Sequence, residues 1–255
     1  MNKISLAVPY YNNSNFLKSL LEYPCSEERI GEIIICDDKS DDIVEAEKII
    51  ESFNSEKIKL IKNKENLGVY LNKIRSLENC SFEWAILFDS DNIIGKDYLD
   101  VIYSEDWECD KILAPSYIPL IDGNGSHVSH CFDFRSFVGD KIGSHNFFDF
   151  LRIGPEVNFT MMMNTCNYFV NVEKYTECFI KNSTGYNFYQ ISSADSFTLF
   201  SDWIYEGNFV KVCDKLSYMH RIHDSLTYTQ TCQRLDAEAW KNLCFSKIER
   251  SRIGY

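Results

Sequence analysis

Trp84-Ala85-Ile86-Leu87-Phe88-Asp89-Ser90-Asp91-Asn92-Ile93-Ile94 is the stretch on which the reading of this chain turns. Its first five residues form an unbroken apolar run, too short for a helix and suited to a strand buried on both faces. The run stops at Asp89, Ser90 and Asp91. Two carboxylates at the end of a buried strand repel each other and lose hydration, so a positive partner is expected between them. A divalent cation with oxygen ligands meets that need economically, and the carboxyl ends of strands are where open α/β sheets bind ligands. An isolated Asp-x-Asp is more often an ordinary solvated loop, so its neighbours in the chain have to decide.

Upstream, Ile4 to Val8 reads as a buried strand ended by Pro9-Tyr10-Tyr11-Asn12-Asn13. Ser14 or Asn15 can cap a helix through Leu21, with Phe16, Leu17, Leu20 and Leu21 on one face. Glu32 to Cys36 is a second strand, and it too ends in acids, Asp37-Asp38-Lys39-Ser40-Asp41-Asp42. Ser40 or Asp41 caps a helix to about Phe53; Lys57 to Ile61 is a third strand, Asn63 to Gly68 a polar turn, and Val69 to Glu78 a helix. This alternation implies a mainly parallel, Rossmann-like sheet with right-handed crossovers, flanked by helices. The chain contains neither Gly-x-Gly-x-x-Gly nor Gly-x-x-x-x-Gly-Lys-Ser/Thr, which argues against a dinucleotide fold or a P-loop.

Downstream the pattern is less regular. Short helices are expected at Lys96 to Tyr103 and Asn146 to Leu151, and strands at Lys111 to Leu113, Phe159 to Met163, Asn167 to Val170, Phe209 to Val212 and Leu216 to His220. Residues 119–145 carry no clear periodicity. Helices are expected from Asn171 or Val172 to Ile180, from a cap at Ser192 or Ser193 to Tyr205 with Gly207 closing it, and over Leu235 to Ile248.

The 255 residues bear a formal net charge of -12, which argues against binding nucleic acid or an anionic membrane through net charge. The N-terminus lacks the apolar core of a signal peptide, and no apolar stretch is long enough to span a bilayer. The ten cysteines are scattered without Cys-x-x-Cys spacing, as expected for reduced, mostly buried thiols in a cytoplasmic protein. Triplets such as Asn158-Phe159-Thr160 then carry no glycan.

Read in order, Pro9-Tyr10-Tyr11-Asn12, Asp37 to Asp42, Asn66-Leu67-Gly68, Asp89-Ser90-Asp91-Asn92, Ala194-Asp195 and His220-Arg221-Ile222-His223 resemble the family 2 glycosyltransferases of GT-A fold, over roughly residues 3–228. The resemblance implies one domain, residues 1–228, with a nucleotide-sugar-binding half (1–95) and a mixed acceptor-binding half (96–228), followed by a helical extension (229–255). It implies an inverting transfer from a nucleotide-diphosphate sugar, UDP-sugar by family preference, to a glycan or glycolipid hydroxyl, as in polysaccharide biosynthesis, with Mn²⁺ or Mg²⁺ as cofactor. Peripheral contact with a membrane carrying the acceptor is compatible with it.

The residues carry over one by one. Tyr11 can stack on the base, Pro9 lines the base pocket, and Asp38 accepts the base N–H; Asp41 and Asp42, nearer the helix, meet its dipole. Where the family has Gly-x-x-x-Ala-Arg-Asn, this chain has Gly68 to Ile74, with Lys73 in the Arg position as a point charge for the diphosphate and Ile74 in place of the Asn. Asp91 is the expected metal ligand, with Asp89 on the ribose or a metal-bound water, and His223 a further metal or phosphate ligand; His220 is a weaker candidate. Asp195 matches the general base at a helix start, although Ala194 replaces the Glu common before it. Asn164 and Thr165 fall where the family contacts donor sugar or acceptor. Two alternatives stand beside this reading: an inactive GT-A module that binds a sugar nucleotide or glycan, and a nucleotidyltransferase, against which the non-glycine-rich first loop argues.

Overall fold

The computed structural model describes residues 2–152, 156–165, 167–182, 194–222 and 234–253. The first half follows the alternation read from the sequence: β1 (Ile4–Tyr10), α1 (Ser14–Ser26), β2 (Ile30–Asp37), α2 (Ile43–Ser52), β3 (Ile58–Lys62), α3 (Val69–Glu78) and β4 (Trp84–Leu87). β1, β2 and β4 are mostly apolar and almost wholly buried on both faces, as in a sheet covered by helices. α1 buries Leu17, Leu20, Leu21 and Pro24, one stripe at helical spacing. Truncating a fully buried strand residue such as Ile86 to Ala would cost about 2–5 kcal/mol.

The second half adds α4 (Lys96–Ser104), β5 (Lys111–Ile121), β6 (His127–Asp133), a 3₁₀ turn (Arg135–Phe137), β7 (Lys141–Ile142), α5 (Phe147–Arg152), α6 (Glu156–Thr165), β8 (Phe169–Asn171), α7 (Val172–Asn182), α8 (Ala194–Tyr205), β9 (Phe209–Ser217), β10 (His220–Arg221) and α9 (Arg234–Arg252). Among the described residues, ten strands form one sheet in the order β3-β2-β1-β4-β8-β5-β9-β7, with β6 and β10 both paired to β5. The β3-β2-β1-β4 part is parallel; β8 joins β4 and β5 antiparallel, and β9 runs parallel to β5. The result is an α/β fold with a mainly parallel first half and a mixed second half.

The N-caps of α1 and α2 fall on Asn13 and Asp42 rather than on Ser14 or Asn15 and Ser40 or Asp41, and two expected strands fail. Residues 159–163 are not a strand but lie inside α6. A short apolar run does not reveal its period, and three consecutive methionines, unbranched at Cβ, suit a helix, where Met162 and Met163 are fully buried. Leu216 does not open a new strand: β9 continues to Ser217, and the next strand is the two-residue β10. Of the cysteines in described positions, Cys36, Cys178, Cys213 and Cys244 are buried, whereas Cys109 and Cys131 are exposed. α9 lies along α8, with Lys247 Nζ 2.5 Å from Asp202, Trp240 Nε1 donating to Thr198 Oγ1 at 2.9 Å, and Ser251 Oγ donating to the Tyr205 carbonyl at 2.8 Å.

Candidate active site

β1 has β2 on one side and β4 on the other, so the chain winds outward in both directions from this strand pair. A crevice opens at the carboxyl ends of the strands at such a switch point. Tyr11 follows β1 there, Asp37 and Asp38 end β2, and Asp89 to Asp91 follow β4.

The loops around the crevice are tied by residues that give up capping their own helices. Asp42 sits at the N-cap of α2 without capping it; its carboxylate accepts from the Tyr10 hydroxyl and the Ser14 N–H, both at 2.8 Å. Ser40 Oγ accepts the Asn12 N–H at 3.0 Å, and the Asn12 side chain accepts the Asp41 N–H at 2.8 Å. Asn13, at the N-cap of α1, instead donates its amide to Ser90 Oγ at 2.9 Å, which fastens the Asp-x-Asp loop to the β1–α1 loop. The Tyr11 ring stands 46% exposed at this rim, and Pro9 is buried within β1.

Asp38 is only 2% exposed and already engaged. One oxygen accepts the Leu67 N–H at 2.7 Å and the Asn63 amide at 3.1 Å; the other accepts the Gly68 N–H at 2.9 Å. Gly68 has φ +81°, which a side chain would strain, and this turns its N–H toward the carboxylate. Burial pushes the Asp38 carboxyl above its ordinary range, against the opposing pull of those donors. Asp38 thus clamps the turn before α3 and is less free than its position in the sequence suggests; the oxygen facing Gly68 retains acceptor capacity.

The central feature is Lys73. It projects from α3, is 3% exposed, and places Nζ 2.8 Å from Asp195 Oδ2 and 3.1 Å from Asp89 Oδ1. One ammonium thus joins the end of β4 to the start of α8. A buried ammonium needs such partners, since an unpaired charge away from water is strongly unfavourable. Asp195 also accepts from Ser196 Oγ at 3.3 Å. Burial, with like charge from Asp91 and Asp195, drives the Asp89 carboxyl upward, while Lys73 opposes the shift.

Asn167, which the sequence reading passed over, buckles Asp89 in place. Its carbonyl accepts the Asp89 N–H at 2.8 Å, and its amide donates to Asp89 Oδ2 at 3.2 Å and to the Tyr218 hydroxyl at 2.9 Å. Burial first, then the nearby Asp89 charge, pushes the Tyr218 phenol well up, so it stays protonated. Arg221 likewise carries no signal of its own in the sequence beyond its place in His220-Arg221-Ile222-His223. It is 5% exposed and donates to the carbonyls of Asp91 (2.8 Å), Asp122 (3.0 Å) and Gly123 (3.1 Å), while its N–H meets the Asn92 side chain at 3.0 Å. Asp91 itself is half-buried.

The remaining candidates are placed less fully. His220 packs near Tyr218 and Phe132. Asn164 is half-buried in the last turn of α6, and the Thr165 side chain and the whole of His223 lie outside the described residues. Among the described residues no group of three or more His, Cys, Asp or Glu is arranged to hold a metal. A wide concavity lies at the opposite ends of the strands, between Lys3, Glu27, Arg29, Lys57 and Asp100; there Arg29 is bound by Glu27 and Asp100, and Lys57 donates to the Glu27 carbonyl.

A doubly wound half with acids at its switch point, joined by a mixed half that brings a further acid to the same crevice, is an arrangement of GT-A type. Residues 5–117 match the family model described as glycosyl transferase family 2. Among solved structures, S. aureus TarS 1-349 in complex with UDP-GlcNAc aligns at 17% identity over 99% of this chain and 73% of that one, with a TM-score of 0.64. TarS 1-349 without that ligand aligns at 19% identity over 99% and 72%, with a TM-score of 0.60. Its complex with UDP aligns at 18% identity over 86% and 60%, with a TM-score of 0.57. At these identities the likeness is one of fold. No curated protein matches the chain.

Proposed function

We propose that this glycosyltransferase takes its sugar from a nucleotide-diphosphate sugar and transfers it, with inversion, to a hydroxyl of a glycan or glycolipid. The observation that carries the proposal is the Lys73 bridge, which brings the first acid of Asp89-Ser90-Asp91 and Asp195 to one crevice. Tyr11 stacks on the base beside Pro9 and Asp38. TarS, whose fold the chain shares, was solved with UDP and with UDP-GlcNAc, which supports a uridine donor.

The acceptor hydroxyl attacks the anomeric carbon from the face opposite the diphosphate. Its proton passes to the Asp195 carboxylate as the new C–O bond forms. The bond from the anomeric carbon to the diphosphate oxygen breaks, and its electron pair leaves with the nucleoside diphosphate. Asp91 is the residue to hold Mn²⁺ or Mg²⁺: its oxygens suit a hard cation, and Asp89 already shares both of its own with Lys73 and Asn167. Bound there, the ion would supply neutralisation of the charge on the departing diphosphate. Asp89 keeps the ribose contact, and Asn164, Thr165 and His223 remain candidates for sugar, acceptor and phosphate. Residues 1–228 act as one domain, with α9 as an extension that braces α8.

A thermal-shift screen of sugar nucleotides, UDP-GlcNAc first, with and without Mn²⁺, tests the donor. A Mn²⁺-dependent rise in melting temperature with UDP-sugars is expected, and no shift with any sugar nucleotide overturns the proposal. Product retaining the donor's anomeric configuration by NMR overturns the inverting step alone.

A further inference from the structure

We propose that Lys73 is shared between Asp195 and the donor diphosphate, so that a bound nucleotide draws the ammonium away and opens the carboxylate to the acceptor. This rests on the functional reading above and deepens it, because it assigns the order in which the two halves of the site become competent.

The geometry has three parts. Lys73 is buried and pairs with two acids from different sides of the crevice, Asp89 on the donor side at 3.1 Å and Asp195, to which it donates a hydrogen bond, on the acceptor side at 2.8 Å. Asp195 faces it with the same oxygen that Ser196 reaches only at 3.3 Å, so among the described residues Lys73 is the close donor to this carboxylate. The Lys73 side chain is a flexible four-carbon stem with a point charge, able to move between partners without reorganising a planar fork.

A nucleoside diphosphate lodged beside Asp89 and Asp91 brings phosphate oxygens to the donor side; a divalent ion at Asp91 would offset their net charge, but oxygens turned toward Lys73 still compete for its N–H donors. A single ammonium cannot satisfy those and Asp195 equally, so its time with Asp195 falls as the donor site fills. Without donor, the base stays covered and an acceptor or water hydroxyl finds no open carboxylate. With donor, the base opens where the reaction needs it. Lys73 acts here through Asp195, as a positioning residue. Linkage requires the converse as well: if the diphosphate competes with Asp195 for Lys73, removing the Asp195 charge must tighten diphosphate binding.

The test is titration calorimetry of UDP and UMP, with Mn²⁺ present, on the whole chain and on Asp195→Asn, Lys73→Met, the double variant and Lys73→Arg. We expect Asp195→Asn to bind UDP about tenfold tighter, within the usual range for coupled sites, and UMP, which has one phosphate fewer, much less so. The gain should vanish in the Lys73→Met background and return with Arg at position 73. Equal tightening in both backgrounds would mean simple repulsion between Asp195 and the phosphates and would overturn the inference, as would no tightening at all. Should Lys73→Met not fold, Lys73→Gln takes its place in the same pair of backgrounds, and a gain from Asp195→Asn undiminished there overturns the inference. If UDP, GDP and dTDP all fail to bind the unaltered chain, it is the donor reading itself that falls.

Discussion

The two halves of the molecule hold their functional residues in different ways. In the β1–β4 half, the polar residues at the strand ends are secured by near neighbours of the same half: Asp42 by Tyr10 and Ser14, Asp38 by Leu67 and Gly68, Ser40 by Asn12. In the second half the corresponding anchors reach across. Asp195 is held by Lys73, Asn167 holds Asp89, and Arg221 holds the backbone at Asp91. The loops after β1 and β2 are preorganised within the first half, whereas the Asp89–Asp91 loop and Asp195 are held by contacts that cross between the halves. Nucleotide recognition should therefore be separable from transfer, while loss of a crossing contact should affect both.

Asp195→Asn gives the sharpest break between the halves. Loss of a general base slows transfer on the order of 10²- to 10⁴-fold, about 3–5 kcal/mol in barrier, while UDP binding by calorimetry persists. Transfer within a few fold of the unaltered chain would mean that the base lies elsewhere. Arg221→Met tests a crossing contact next. It strips a charged donor from the carbonyls of Asp91, Asp122 and Gly123; Gly123 is exposed and the Asp122 carbonyl still accepts the Gly125 N–H, so the cost falls at the low end of about 1–3 kcal/mol for a lost partner. We expect about 1 kcal/mol of destabilisation by urea melt together with weaker nucleotide binding. Destabilisation without a binding change would make Arg221 a brace for the Asp122 turn alone.

Buried acids of the two halves should respond to pH with opposite signs. Glu32, in β2, is fully engaged: although burial opposes ionisation, donors from Lys59, Ser5 and Ser81 outweigh it and hold the carboxyl down at about 2. Its folded value lies below the unfolded one, so its contribution, about 2 kcal/mol after allowing for the half-exposed Lys59, is present above about pH 4.5 and is lost as pH falls toward 2. Asp202, in α8, goes the other way. Burial, aided by Glu206 and opposed by Lys247, raises it to about 6. The unfolded chain ionises first, so stability drops by about 3 kcal/mol as pH rises from about 4 through 6, then levels. Chemical denaturation against pH for Glu32→Gln and Asp202→Asn should each remove one of these slopes; identical slopes in both variants and the unaltered chain would contradict the assignments.

The same division decided what could be read in the chain. Strands covered on both faces print themselves as apolar runs, and the turn residues between them mark their ends, so β1 to β4 fall close to where the pattern puts them. The second half hides its strands. β5 runs through Pro115 and Pro119 to Ile121, where the prolines suggest an end at Leu113. Methionines in α6 imitate a strand. Single residues that work by crossing the fold leave no local trace: Asn167 is one Asn before a short strand, and the bond between Lys73 and Asp195 spans 122 positions. Asp195 was legible as a helix-start acid in the right order. That its oxygen is covered by Lys73 follows only from the packing of α3 against α8.

The smallest effect tests the first half where it meets solvent. Tyr11 is 46% exposed, so its ring contributes little to folding, and Tyr11→Ala should leave the melting temperature unchanged. Stacking of a base on an aromatic ring is worth about 1–3 kcal/mol. With part of that area already dry against the crevice wall, we expect a loss of about 1 kcal/mol, roughly a fivefold rise in the UDP dissociation constant. Tyr11→Phe should retain nearly all the affinity, because stacking needs the ring and not the hydroxyl. A fall in melting temperature without a change in UDP affinity would make Tyr11 a packing residue. The preorganised half would then recognise its nucleotide through Asp38 and the strand-end loops alone.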